Sequence, residues 1–127
     1  MKAAVLYEPN TDLQIEELAQ DSPKPGEVRV RMGVAGLCAS DLHVIKGTAP
    51  LPMPVVLGHE GAGTVVETGE GVLGVEPGDR CILSFVSSCG YCPPCRTGNQ
   101  QLCETNVLTG ARQYDGTLRL HKGGVGV

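Results

Sequence analysis

The chain has 127 residues and a mass of 13.3 kDa, room for one domain with its own core and little for a usual two-domain enzyme. Ten Lys and Arg against fourteen Asp and Glu leave a net charge of −4, so no basic field exists to draw nucleic acid. The longest uncharged stretch, Cys81 to Cys95, is polar and interrupted by Pro93 and Pro94, which excludes a membrane span.

In chain order, the first predicted strand is Lys2 to Tyr7. Its apolar run stops at Glu8, too soon for the hydrophobic region of a secretory signal. The expected compartment is therefore the cytoplasm, where cysteines read as metal ligands or reactive thiols before disulfides. Leu13 to Glu17 is a second extended candidate. The Pro25-Gly26 turn leads into Glu27 to Val34, where Val28, Val30, Met32 and Val34 alternate with polar residues and predict a half-buried strand. Ser40 is placed to cap a short helix over Asp41 to Lys46, which Gly47 ends. Thr48 to Pro54, with Pro50, Pro52 and Pro54, predicts an extended surface crossing. Gly63 to Thr68 and Arg80 to Val86 are further strands, the latter entered through Pro77-Gly78-Asp79.

Gly 18 and Pro 9 make about a fifth of the chain, and four aromatics with no Trp leave the core to Val, Leu, Ile and Ala. Short strands between such turns predict a mainly β barrel or sandwich with one or two short helices. Ser87 to Thr105 has no periodicity and is too long for an unsupported loop. Gly123 to Gly126 reads as a flexible tail.

Cys89, Cys92, Cys95 and Cys103 are spaced C-x2-C-x2-C-x7-C. Three thiolates, each separated from the next by two residues, can wrap one ion and a fourth from further along can close the tetrahedron, the pattern of a structural Zn²⁺ site with no open position. An iron–sulfur run closes with a three-residue gap and a following Pro, whereas here the gap is seven and Glu104 follows. A redox role for Cys92-Pro93-Pro94-Cys95 would need thiols not already committed to a metal, and paired disulfides conflict with the expected compartment. A second constellation holds Cys38, Ser40, Asp41 and His43 within six residues, followed by His59 and Glu60 in a Gly-His-Glu-Gly turn. Sulfur, imidazole and carboxylate are the donors of catalytic zinc sites. Cys81 is left over and reads as a buried small residue.

Four stretches together carry a resemblance: G-L-C-A-S-D-L-H at Gly36 to His43, V-V-L-G-H-E-G-A-G at Val55 to Gly63, V-E-P-G-D-R at Val75 to Arg80, and the four-cysteine lobe. In these the chain resembles the N-terminal catalytic domain of zinc-dependent medium-chain alcohol dehydrogenases, over essentially its whole length. The resemblance implies a GroES-like, partly open β-barrel over residues 1–127 with its zinc lobe at 87–105. It implies that Cys38 and His59 hold the catalytic zinc, that Glu60 approaches it as a transient ligand, and that Cys89, Cys92, Cys95 and Cys103 hold the structural zinc. Ser40 then takes the alcohol's proton, His43 passes it towards solvent, and Asp41 orients the zinc-bound histidine. The implied reaction oxidises a small alcohol to an aldehyde or ketone, with hydride passing to NAD(P).

Within these 127 residues no strand leads through G-x-G-x-x-G into a helix. Gly61-Ala62-Gly63 lacks the third glycine and reads as close packing. The family's nucleotide-binding domain, its third catalytic ligand (a cysteine) and its barrel-closing strands are thus expected beyond Val127. Three expectations follow: NAD(P) binds only if that domain is supplied, the isolated chain is inactive, and unpaired strand edges favour self-association. The rival reading is a standalone zinc-stabilised β module with a binding role and no turnover.

Overall fold

A computed structural model describes residues 1–105 and 111–127. Three antiparallel sheets of three strands carry the fold. In the first, β1 (Lys2–Leu6) lies between β2 (Gln14–Glu17) and β5 (Val55–Val56). The second joins β3 (Ala19–Gln20), β8 (Leu120–Lys122) and β9 (Val125–Gly126), and the third joins β4 (Val28–Ala35), β6 (Gly61–Thr68) and β7 (Arg80–Ile82). The two longest strands pair from Val28–Thr68 to Ala35–Gly61, with register shifts at Arg29/Val30 and Met32/Val34. A side chain at Gly63 would collide with the Arg31 carbonyl at this crossing, so the close packing expected of Gly61 to Gly63 is what the sheet shows.

Successive side chains on a strand point to opposite faces, and β1 uses this to build two cores at once. Val5 packs with Leu18 and Val127, and with Ala3, Tyr7, Val56 and Leu120 around them. Leu6 packs with Val55 and with Val44 of the helix α1 (Ala39–Ile45), ringed by Ile45, Ala49, Leu51, Met53 and Leu57. On α1 the inward residues are Asp41 and Val44, one turn apart, while Ser40 and His43 share the exposed side. Packing of Val44 on Leu6 therefore decides which side chains α1 presents outward.

Several expectations need correction. The helix begins two residues earlier than Ser40 would allow: its N-cap is Cys38, and Asp41 Oδ2 accepts the Cys38 backbone N–H at 3.1 Å. An aspartate at the third helical position can reach back to satisfy a free amide, which a serine inside the first turn cannot do. Gly47, at φ +70°, does end the helix. The crossing over 48–54 is not purely superficial, because Leu51 and Met53 turn in against the Leu6 cluster. The strand predicted over Arg80 to Val86 stops at Ile82, and Cys81 within it is only half-buried.

The expected C-terminal tail is a hairpin. Gly123 and Gly124 both take positive φ, 56° and 84°, the combination that turns a two-residue β-hairpin. Behind that turn β9 pairs with β8, and Val127, 5% exposed, enters the Val5 core. The predicted half-burial of the Glu27 to Val34 strand also fails over most of its apolar face: Val30 is half-buried, whereas Val28, Met32 and Val34 are exposed, Val34 at 68%.

A charged cluster ties the 113–119 segment to the Pro25-Gly26 turn. Arg119 pairs with Glu27 and, at 2.9 Å, with Asp115, which also takes Lys24 at 2.8 Å. Lys24, Thr117 and Arg119 hold the Asp115 carboxyl below the usual range, and Arg119 does the same for Glu27. Depressed carboxylate pKa values stabilise the fold above their unfolded values and cease to do so as pH falls through the folded ones. The Arg119 Nε–H resonance, set by its 2.9 Å bond to Glu27, is thus expected to be steady at neutral pH and to move towards its unfolded position below about pH 4.

Candidate metal centres

The lobe is built from short turns. Cys92 is the N-cap of α2 (Pro93–Arg96), whose first turn accepts proline because those amides have no helical partner. Cys95 lies on α2, and a 3-10 turn at Gln100–Leu102 returns the chain to Cys103. Cys92, Cys95 and Cys103 are buried and, with Cys89, form a cluster that contains no other hydrophobic residue among those described. Their four sulfurs lie within 4.8 Å of one another, with Cys92 and Cys103 Sγ at 4.0 Å. A disulfide needs about 2.05 Å, whereas Zn–S bonds of about 2.3 Å in a tetrahedron separate sulfurs by about 3.8 Å.

The surrounding polar groups also suit thiolates. Cys103 Sγ accepts the Cys89 N–H at 3.3 Å and lies 3.1 Å from Thr105 Oγ1, while Cys89 Sγ accepts the Cys92 N–H at 3.4 Å. The Thr105 hydroxyl and the Cys89 amide bring the Cys103 thiol down to about 6. Burial pushes Cys95 up to about 12. Four sulfurs this close, with amide and hydroxyl hydrogens aimed at two of them, form a donor set that fits Zn²⁺.

The second centre brings together Cys38, His59 and Glu60, one donor atom from each lying within 4.8 Å of the others. Cys38 caps α1, and His59 and Glu60 immediately precede β6, so helix and sheet meet at the site. Gly36 is required here, because its hydrogen faces Glu60 Oε2 and an added Cβ would also sit 3.0 Å from Glu60 Cβ. Asp41, 9% exposed, serves both ligands: Oδ2 accepts the Cys38 N–H and Oδ1 stands 3.4 Å from His59 Nδ1. That leaves His59 Nε2 facing Ser40 Oγ at 3.3 Å. Hydrogen bonds from Ser40, then His59, lower the Cys38 pKa, and Cys38 in turn raises that of His59. Sulfur, imidazole and carboxylate in one cluster fit a zinc ion with room for an exchangeable oxygen ligand.

His43 is not drawn into this cluster. It lies in the last turn of α1 with Nδ1 3.1 Å from Thr48 Oγ1. A cleft of about 480 Å³ lined by Ser40, Asp41, Leu51, Leu57, His59 and Phe85 opens beside the ligands. Phe85 stacks obliquely on His59, ring centres 4.6 Å apart. The sequence offered no reason to select Phe85 or Thr48. Thr105, two residues after the last lobe cysteine, carried a local signal in its hydroxyl. Among the described residues no helix is long and apolar enough to cross a membrane.

A four-cysteine lobe and a Cys–His–Glu cluster beside an open cleft make this a mainly β module with two groups of side chains that could hold a metal ion. Residues 24–125 match the model of the alcohol dehydrogenase GroES-like domain. The chain belongs to that family. It is 45% identical over 125 residues to the NDMA-dependent alcohol dehydrogenase of Amycolatopsis methanolica, covering 97% of this chain and 33% of that protein. It superposes with a TM-score of 0.90 and 34% identity on an alcohol dehydrogenase zinc-binding domain protein from Burkholderia ambifaria, over 98% of this chain and 34% of that one. A cobalt- and zinc-bound thermostable alcohol dehydrogenase from Pyrobaculum aerophilum aligns at 39% identity and a TM-score of 0.76, over 84% of this chain and 33% of that one. The chain spans about a third of the length of the curated relatives it matches.

Proposed function

We propose that this chain supplies the zinc-holding, substrate-facing part of an NAD(P)-dependent alcohol dehydrogenase, acting on small alcohols and aldehydes in the cytoplasm. The observation that carries the reading is the Cys38–His59–Glu60 cluster, braced by Asp41 and with Ser40 Oγ 3.3 Å from His59 Nε2. When bound, zinc supplies Lewis acidity that lowers the pKa of an alcohol hydroxyl, and a nicotinamide supplies the acceptor for hydride. The residues of this chain do the rest. Cys38, His59 and Glu60 hold the metal, and Asp41 fixes the ring of His59 and raises its basicity. Ser40 takes up the alcohol's proton at Oγ. His43, on the same exposed side of α1, carries it to solvent, an imidazole being able both to accept and to release a proton. Leu51, Leu57 and Phe85 keep the cleft apolar around a small substrate. Residues 1–127 act as one domain in this reading, with the structural zinc in the lobe at 87–105.

Two experiments test it. The 127-residue chain alone, loaded with zinc and given NAD⁺ and simple alcohols, should produce no rise in NADH absorbance. A chimera in which it replaces the matching third of the Amycolatopsis relative should oxidise alcohols. Cys38→Ala or His59→Ala should abolish that activity, and Asp41→Ala should weaken zinc at this centre by about 10–100-fold. An inactive chimera whose chain retains only the lobe zinc would instead favour a zinc-stabilised binding module, the reading supported by the clustering of four cysteine sulfurs in the lobe.

A further inference from the structure

The lobe cysteines are not equally supported. Cys103 is 2% exposed, and its sulfur faces two polar groups, the Cys89 N–H at 3.3 Å and Thr105 Oγ1 at 3.1 Å. A metal-bound thiolate has no hydrogen to give, so in the loaded lobe the hydrogen between Cys103 and Thr105 belongs to the threonine. A hydroxyl donating to a thiolate is a charge-assisted bond. It withdraws charge from the sulfur, fixes its lone-pair direction and makes it harder to protonate or displace.

We propose that Thr105 is a positioning residue of the lobe, whose hydroxyl donates to Cys103 Sγ and sets how firmly the metal is held. The proposal rests on the reading of the lobe as a zinc site. No metal–ligand bond is made by Thr105 itself. Its place in the chain gives it this role: the 3-10 turn Gln100–Leu102 delivers Cys103 to the interior, and the turn after it brings Thr105 back against the same sulfur. Outer partners of this kind shift metal affinity by about 10–100-fold. Valine matches threonine in shape and lacks the hydroxyl, so Thr105→Val removes the bond with little change in packing.

The test uses the whole 127-residue chain loaded with Zn²⁺, challenged with excess EDTA, with metal release followed over time. Thr105→Val should release its lobe metal about 10-fold faster than the unaltered chain, and Thr105→Ser, which keeps the hydroxyl, should restore slow release. In chains reconstituted with Co²⁺ the thiolate-to-cobalt absorption should shift for Thr105→Val and return for Thr105→Ser. A general loss of packing would not produce that pairing. If Thr105→Val folds poorly, Thr105→Ala carries the same comparison. Release and absorption unchanged in the hydroxyl-free variant, or no rescue by serine, would overturn the role of Thr105. An unaltered chain that retains no metal at the four cysteines would overturn the zinc reading along with it.

Discussion

Chelating the lobe metal is expected to unfold residues 87–105 while the sheet around Leu6 stays folded. Among the described residues the hydrophobic cluster of the lobe holds Cys92, Cys95 and Cys103 with Cys89 packed against them, so a cation between the sulfurs is the main tie that orders two tight turns and a one-turn helix. Structural zinc contributes about 10–16 kcal/mol in small metal-folded peptides, comparable to the entire stability of a typical domain. Replacing one ligand, Cys103→Ser, should cost more than the 10–100-fold expected for an outer partner and give the same local unfolding without a chelator. Amide spectra check this at Gly90 and Gly98, which take φ near +80° in the lobe turns. Dispersed signals from both glycines after complete zinc removal would show that protein contacts suffice.

Leu6→Ala is expected to lower global stability by about 2–5 kcal/mol, the range for emptying a fully buried leucine site. The residue has no exposed surface and touches both the sheet, through Val55, and the helix, through Val44. The cavity therefore opens beneath α1, the element that carries Ser40, Asp41 and His43 and is capped by Cys38. Denaturant titration should show the stability loss. Zinc titration should show weaker binding at Cys38, His59 and Glu60, with lobe zinc retained. Ile15→Ala, at a residue 72% exposed on β2, should stay within about 0.5 kcal/mol of the parent.

Much of the candidate site was legible because its logic is local. Lobe cysteines two residues apart can meet only by wrapping a turn, and the structure brings all four sulfurs together. Asp41 is legible as a neighbour of His59 through the family resemblance, but not its second bond, to the Cys38 amide. That bond depends on where the helix starts, and a serine beside a helical run is a stronger cap signal than a cysteine. The C-terminal hairpin was misread because two adjacent glycines suit a loose tail as well as a tight turn. What selects the turn is Val127 reaching Val5 and Leu18 more than a hundred positions earlier, and no local pattern encodes that. Alternation in β4 showed that one face is apolar without showing that anything covers it, which is why Val34 stands exposed.

The two faces of β1 also impose an order on synthesis. Every member of the Leu6 cluster has been made once Leu57 leaves the ribosome, whereas the Val5 cluster waits for Leu120 and Val127. One side of the first strand can thus close early over α1, and the other stays open until the β8–β9 hairpin arrives. The helix that presents Ser40 and His43 can gain its support before the first lobe cysteine has left the ribosome. During that interval Val5 and Leu18 lack the cover that Leu120 and Val127 later supply.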